Sequence, residues 1–282
     1  MSLFISGGLD LRVQRSLLQA YSDLNSSTLR LATMRRINSG ADDPAGLMAA
    51  ELLKGELTAL QAASSNASQA SHVIQVADSG LSEVSDLLST IEGNLVEMAG
   101  GTLTPDQAAA NQLEIDAALG AINRIGSTTN YMGRSLLDGG TLKFAITSDV
   151  GYVDEVTMPT VNTAELGGDA GTLSELASGG AAALGGDLSR GMEIVEQAAS
   201  QISTARAELG SFARTALEAS SDALGAAYVS MSQAYSQIMD TDVAAETSRM
   251  IRSEIQLRTA FTLLSITSHS HSLIHGLLAA TR

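Results

Sequence analysis

The chain contains no cysteine, no tryptophan, three prolines and only 3% aromatic residues. Each shortage excludes something. Without cysteine there is no disulfide framework, no thiolate nucleophile and no cysteine-ligated metal. With so few rings, a thick core built on large side chains is excluded. Burial must come from Leu, Ile, Val, Met and Ala in thin seams, as between paired helices. No segment approaches eighteen consecutive apolar residues, so no membrane span is expected. The opening "MSLFISGGLDLRVQRSL" lacks a basic head followed by an apolar run and a small-residue cleavage site. A cleaved secretory signal is therefore not expected. Lysine is nearly absent too, with only Lys54 and Lys143.

Charge is plentiful but uneven. The net charge is −15. Residues 1–40 carry five arginines against Asp10 and Asp23, a net +3, and residues 243–282 carry four against Glu246 and Glu254, a net +2. The middle therefore holds −20. Acidic bulk argues against nucleic acid or an anionic membrane as partner. It fits a middle that faces water and ends that become covered.

Hydrophobic period is the strongest positive signal. Leu53, Leu60, Ala67, Ile74, Leu81, Leu88 and Leu95 fall seven apart, and Glu56, Ala63, Ala70, Ala77, Val84, Ile91 and Met98 stand three further on. Apart from Glu56, this is a sustained a/d seam on one long helix, ending at the Gly100 break. A second helix is predicted from Thr104-Pro105-Asp106 through Leu113, Ile115, Leu119 and Ile122 to about Gly126. Residues 127–187 read as a β insertion: "TLKFAIT" and "YVDEVTMP" predict one or two hairpins, and "GGDAGTLSELASGGAAALGGD" reads as flexible loop. Sevens resume with Leu188, Val195, Ile202 and Leu209, slip by one residue, and continue with Leu217, Leu224, Met231 and Ile238.

Two breaks punctuate the helices. In "RRINSGADDPAGL", Arg35 and Arg36 suit a helix end, Gly40 a left-handed stop, Asp42 or Asp43 a cap, and Pro44 a first turn. At the other break, Asp240, Thr241 and Asp242 offer caps for a last helix. Each break isolates a basic terminal helix of roughly forty residues, ~60 Å long. Two helices of equal length, fenced off at matching points, are expected to lie together. The expected architecture is mainly α. Residues 1–42 and 241–282 form an inner coiled-coil-like domain, and 43–240 an outer helical domain carrying the 127–187 insertion. Leu17, Leu24, Leu31, Ile251, Ile255, Phe261 and Leu264 are the apolar residues expected to drive self-association of the terminal helices.

No catalytic constellation emerges. His271 and His275 are i, i+4 beside His269, but no acidic third ligand or HExxH accompanies them. Asp42-Asp43 are better read as caps than as an acid–base pair. The Asn25 and Asn66 sequons fall in helical seams. No cofactor is expected.

These residues together resemble bacterial flagellin. "RINSGADDPAGL" (36–47, carrying Arg36, Asn38, Gly40, Asp42, Asp43 and Pro44) is similar to the motif joining that family's terminal helix to its first long helix. "TTNYMGRSLLDGG", "ISTARAELGSF" and "DTDVAAETSRMIRSEIQLRTAFTLL" follow in the family's order, and the final arginine is typical. Tyr131-Met132-Gly133 stands where the family has Phe-Asn-Gly, and "SHSHSLIHGLL" replaces its Gln-rich ending. The resemblance implies a short-form subunit that polymerises with itself into the extracellular flagellar filament. It also implies export in unfolded form, and an export chaperone, cap and hook-junction proteins as partners. Thr90 stands where receptor-detected flagellins carry an arginine, while Glu114 is retained; weak innate-receptor recognition is the expectation. The rival readings are a hook–filament junction protein, a chemoreceptor-type helical hairpin, which the 127–187 insertion disfavours, and an enzyme, which lacks a site.

Overall fold

In a computed structural model the backbone is described for residues 2–147, 152–184 and 186–280, and side chains for 11–147, 152–184 and 186–269. Helices dominate: α1 (Ser2–Thr33), α2 (Pro44–Ala99), α3 (Pro105–Thr128), α4 (Leu188–Phe212), α5 (Ala219–Met239) and α6 (Val243–Ala280). Among the described residues three antiparallel strand pairs separate α3 from α4: β1 (Asn130–Tyr131) with β2 (Arg134–Ser135), β3 (Asp138–Phe144) with β4 (Asp154–Thr160), and β5 (Gly167–Gly168) with β6 (Gly171–Thr172). The chain divides into two compact units, Met1–Leu57 with Ser230–Arg282, and Thr58–Val229. The first unit includes the opening turns of α2 and the closing turns of α5, so both breaks lie inside it.

The second unit holds the larger core, and its axis is the a/d seam of α2. Every seam residue from Leu60 to Met98 is buried, with Ala70, Ala77, Leu81, Val84 and Ile91 at 0% exposure. Against it pack Ile115, Leu119 and Ile122 of α3 and Ile194, Val195, Ala198, Ile202 and Leu209 of α4. Leu113, grouped by period with the α3 face, instead lies 68% exposed. Helix α3 begins as its sequence predicts. The Thr104 hydroxyl accepts from the Gln107 N–H, Gln107 Oε1 accepts from the Thr104 N–H, and Pro105 fills the first turn. It runs on to Thr128, two residues past the expected stop. Gly126 is not a terminator but a close-approach site, because a Cβ there would lie 2.0 Å from the Val161 carbonyl oxygen.

The insertion is more ordered than its composition suggests. β3 and β4 pair from Asp138 opposite Thr160 to Phe144 opposite Asp154. They turn Leu142, Val156 and Met158 inward, and Phe144 packs on Phe212 at 6.2 Å between ring centroids. β1 and β2 form a two-residue hairpin whose turn puts Met132 and Gly133 at φ 51° and 83°, the paired left-handed conformations that such a tight turn needs.

The segment expected to be a flexible loop is docked. Leu166, Leu173, Leu176, Ala182 and Ala183 are buried, and a row of polar side chains on α3 holds the backbone around them. Gln112 donates to the Leu176 carbonyl (2.7 Å) and accepts from the Leu184 N–H (2.9 Å). Asp116 accepts from the Ser178 N–H (2.9 Å), and Asn123 accepts from the Thr163 N–H (2.9 Å). Gly- and Ser-rich sequence suggested freedom because it has few large side chains. What anchors it is hydrogen bonding to its backbone, which composition does not record.

Candidate assembly surface and the paired helix breaks

The first unit is built on α1 and α6, which run antiparallel: Arg30 stands opposite Glu246 (3.7 Å), and Ala20 shares a groove with Ala260. Their contact follows alternating steps of four and three. On α1 the inward residues are Val13, Leu17, Ala20, Leu24, Ser27 and Leu31, and on α6 they are Glu246, Met250, Ser253, Leu257, Ala260, Leu264 and Thr267. That spacing is a coiled-coil seam. The seam is thin, since only Ala20, Ser27, Glu246, Ser253, Leu257 and Ala260 of these are buried and the rest are half-buried. Its one fully buried charge, Glu246, is 3% exposed and lies between Arg30 and Arg249, the latter donating to it at 3.1 Å.

The residues expected to drive self-association divide into two groups. Leu17, Leu24, Leu31 and Leu264 are half-buried in the seam, whereas Ile251, Ile255 and Phe261 point to solvent at 47%, 59% and 56% exposure. They are not alone outside. Leu11, Leu18, Tyr21 and Leu29 of α1 and Leu263 and Ile266 of α6 are also exposed. Each terminal helix therefore carries apolar residues around more of its circumference than one partner helix can cover. Isolated exposed leucines are ordinary, but this many large apolar side chains left outside the seam of two paired helices mark an interaction surface. The sequence signal for this second face was the excess of apolar residues over a two-in-seven pattern.

The two breaks are bound to each other. The Arg36 N–H donates to the Met239 carbonyl (2.6 Å), the Thr241 N–H donates to the Met34 carbonyl (3.1 Å), and Arg35 and Asp240 form an antiparallel bridge. Beneath the bridge Ile37, Ala50 and Met239 form a small buried cluster with Leu47, Tyr235 and Ile238. Asp43 is the cap of α2, accepting from the Gly46 N–H at 2.8 Å, with Pro44 in the first turn. Asp42 does something else. Its Oδ2 accepts from the Asn38 N–H (3.0 Å), the Ser39 N–H (2.9 Å) and the Ser39 hydroxyl (3.1 Å), closing the connecting loop on itself. Asn38 donates in turn to the Arg35 carbonyl. Asp242 caps α6 by accepting from the Ala244 and Ala245 N–H groups. Asp240 accepts from the Ser236 hydroxyl.

Two expectations here need correction. The left-handed stop of α1 is Met34, at φ 55°, and Gly40 does not take a positive φ. The cation in the last turn of α1 is Arg30, because the helix ends at Thr33 and leaves Arg35 and Arg36 beyond it, exposed on the bridge. A glycine was the obvious candidate for the stop because only glycine adopts that conformation without strain. At Met34 the carbonyl is fixed by Thr241, a contact made 207 positions away that local sequence does not display.

These contacts carry two expected outcomes. Asp43→Ala should lower the stability of the first unit by about 1 kcal/mol, the usual loss for a removed N-cap, as read by thermal unfolding. Asp42 responds to acid. The Asn38 N–H, then the Ser39 N–H and hydroxyl, hold its carboxyl below the ordinary value, against the opposing effect of desolvation. A depressed folded value means that the support is fully present above the ordinary aspartate range and disappears as pH falls through the lower value. The amide resonances of Asn38 and Ser39 should therefore shift together only below about pH 4. Asp42→Asn should abolish that transition.

Among the described residues no cluster of three His, Cys, Asp or Glu side chains could hold a metal. His271 and His275 have side chains outside the described residues. No described helix is long and apolar enough to cross a membrane. Thr90 is exposed on α2 with its hydroxyl donating to the Asp86 carbonyl.

Comparison with known proteins gives concordant matches. The family model described as "Bacterial flagellin N-terminal helical region" matches residues 8–141, and "Bacterial flagellin C-terminal helical region" matches residues 192–277. The chain is 33% identical to B-type flagellin of Pseudomonas aeruginosa over 56% of its own length and 33% of that protein's. It is 27% identical to flagellin of Listeria monocytogenes over 96% of its length and 97% of the relative's. It is 29% identical to flagellin of Bacillus subtilis over 84% and 86%. The chain thus spans about a third of the first of these proteins and nearly all of the second.

Proposed function

Since this chain belongs to the bacterial flagellin family, we propose that it is a structural subunit that self-assembles into the flagellar filament used for swimming. The observation that carries this reading is the outward apolar face of the α1/α6 pair, from Leu11 and Leu18 to Ile255 and Phe261. Leaving these side chains in water carries a penalty: burying a leucine or isoleucine side chain contributes about 1.5–3 kcal/mol. Further copies of the same helix pair can cover it, and a head-to-tail contact between identical chains that does not close propagates as a helical tube.

Electron microscopy of the purified protein after addition of short seeds tests the proposal. Tubes that lengthen with protein concentration are the expected result, and a chain that stays monomeric at every concentration and salt level overturns it. Position outside the cell in the flagellum, passage through the flagellar export channel, and contacts with an export chaperone, cap and hook-junction proteins belong to the same reading. They rest on the family. Domain function follows the sequence division, with 1–42 and 241–282 as the inner, polymer-forming part and 43–240 as the outer part. At Thr90 the reading is weak detection by the innate receptor. A reporter cell line that answered the monomer as strongly as it answers an enteric flagellin would refute that point alone.

A further inference from the structure

The one-residue slip in the second heptad series has a structural counterpart. Residues Ala213–Glu218 wind as a π-helix between α4 and α5, within one uninterrupted helical rod from Leu188 to Met239. Leu209 and Leu217 stand eight apart rather than seven, yet both are buried, as is Leu224 seven further on. The wider turn absorbs the extra residue, so the apolar stripe stays on one side before and after it. The opposing seam of α2 keeps strict sevens throughout, and so supplies no matching irregularity.

Local preference and register disagree here. "ARTALE" contains no glycine or proline and, apart from Thr215, consists of good α-helix formers. Nothing in the segment itself calls for a π turn. Only the position of Leu217 and Leu224 does. The packing around the turn is also thin. Two adjoining open grooves run past it along α2, meeting at Ser71 and Ala213, one lined also by Gln75 and Gly210, the other by Ser68, His72, Leu217 and Asp222. Leu217 is the single buried residue of the turn.

We propose that Ala213–Glu218 is a register joint, at which this helix exchanges its π turn for ordinary α turns. Losing the turn rotates the residues that follow by about 100° and shifts them by ~1.5 Å along the axis. That setting makes the regular hydrogen bonds which "ARTALE" favours and gives up the inward placement of Leu217 and Leu224, and the rotation is absorbed within α5 before Met239, whose carbonyl the Arg36 N–H holds. The grooves leave room for the movement. The inference is a property of the monomer and does not rest on assembly into filaments.

Deleting Thr215, an exposed residue of the turn, restores the seven-residue spacing and satisfies both demands at once. The variant should melt higher than the parent by about 3 °C, the shift that roughly one hydrogen bond's worth of stability produces in a unit of this size. Deleting Ser200, where the spacing is already seven, should lower it. In the parent, hydrogen exchange at residues 213–222 should run at least tenfold faster than at 195–209, and the Thr215 deletion should remove the difference. A Thr215 deletion that melts as low as the Ser200 deletion, or fails to fold, overturns the proposal. So does parental exchange that is equally slow in both stretches.

Discussion

Ile255→Asp is expected to abolish polymerisation while leaving the melting of the free chain within about 0.5 kcal/mol of its original stability, the ordinary range for a surface change. In the monomer Ile255 is 59% exposed, in the groove that it lines with Val13 and Leu263. A carboxylate there stays in water. Once another copy packs over the face, the same carboxylate is taken out of water, and a buried charge left unpaired costs about 3–5 kcal/mol. That loss recurs at every subunit, so the concentration needed for growth rises by a factor on the order of 10²–10³ per contact. Sedimentation of seeded samples measures it. Ile255→Leu keeps the apolar face and should polymerise normally. If Ile255→Asp chains formed tubes at the parental concentration, this face would not be the assembly surface.

Gly126→Ala has the opposite profile: a large loss in the monomer from the smallest possible addition. A methyl group at this position meets the Val161 carbonyl oxygen at 2.0 Å and its carbonyl carbon at 3.1 Å. Both are backbone atoms, and the Val161 N–H is itself committed to the Leu137 carbonyl at 2.8 Å. No flexible side chain can swing aside, so α3 or the strand end must move within a tightly packed core. The expected loss is about 3 kcal/mol, at the upper end for overpacked sites. Chemical denaturation should show it as a lower midpoint with an unchanged slope. At Gly120 on the same helix, a methyl group would meet nothing within 4 Å, and Gly120→Ala should be neutral or slightly stabilising through helix propensity.

The two glycines illustrate what could be read in advance. Both look alike in the sequence, and the one nearer the helix end reads as its stop. Only the approach of Val161, brought in by the β3–β4 hairpin, distinguishes them. The aspartates at the first break behave similarly. That one of the adjacent pair would cap α2 was legible from Pro44 beside it. That the other would close the loop over Asn38 and Ser39 depended on the loop's conformation. Arg30 and Glu246 carry no local sign that they meet.

Heptad spacing determined the long helices, their buried stripes and the place of the one-residue slip, because a period of three and a half residues has one helical solution. Capping residues determined where α3 and α6 begin, since an N-cap acts over a single turn. Tertiary structure alone decided that Met34 rather than Gly40 ends α1, that 166–184 is anchored, and which apolar residues of α1 and α6 face inward. Those outcomes depend on partners far away along the chain, and a contact across such a separation leaves no pattern in either of the segments that make it.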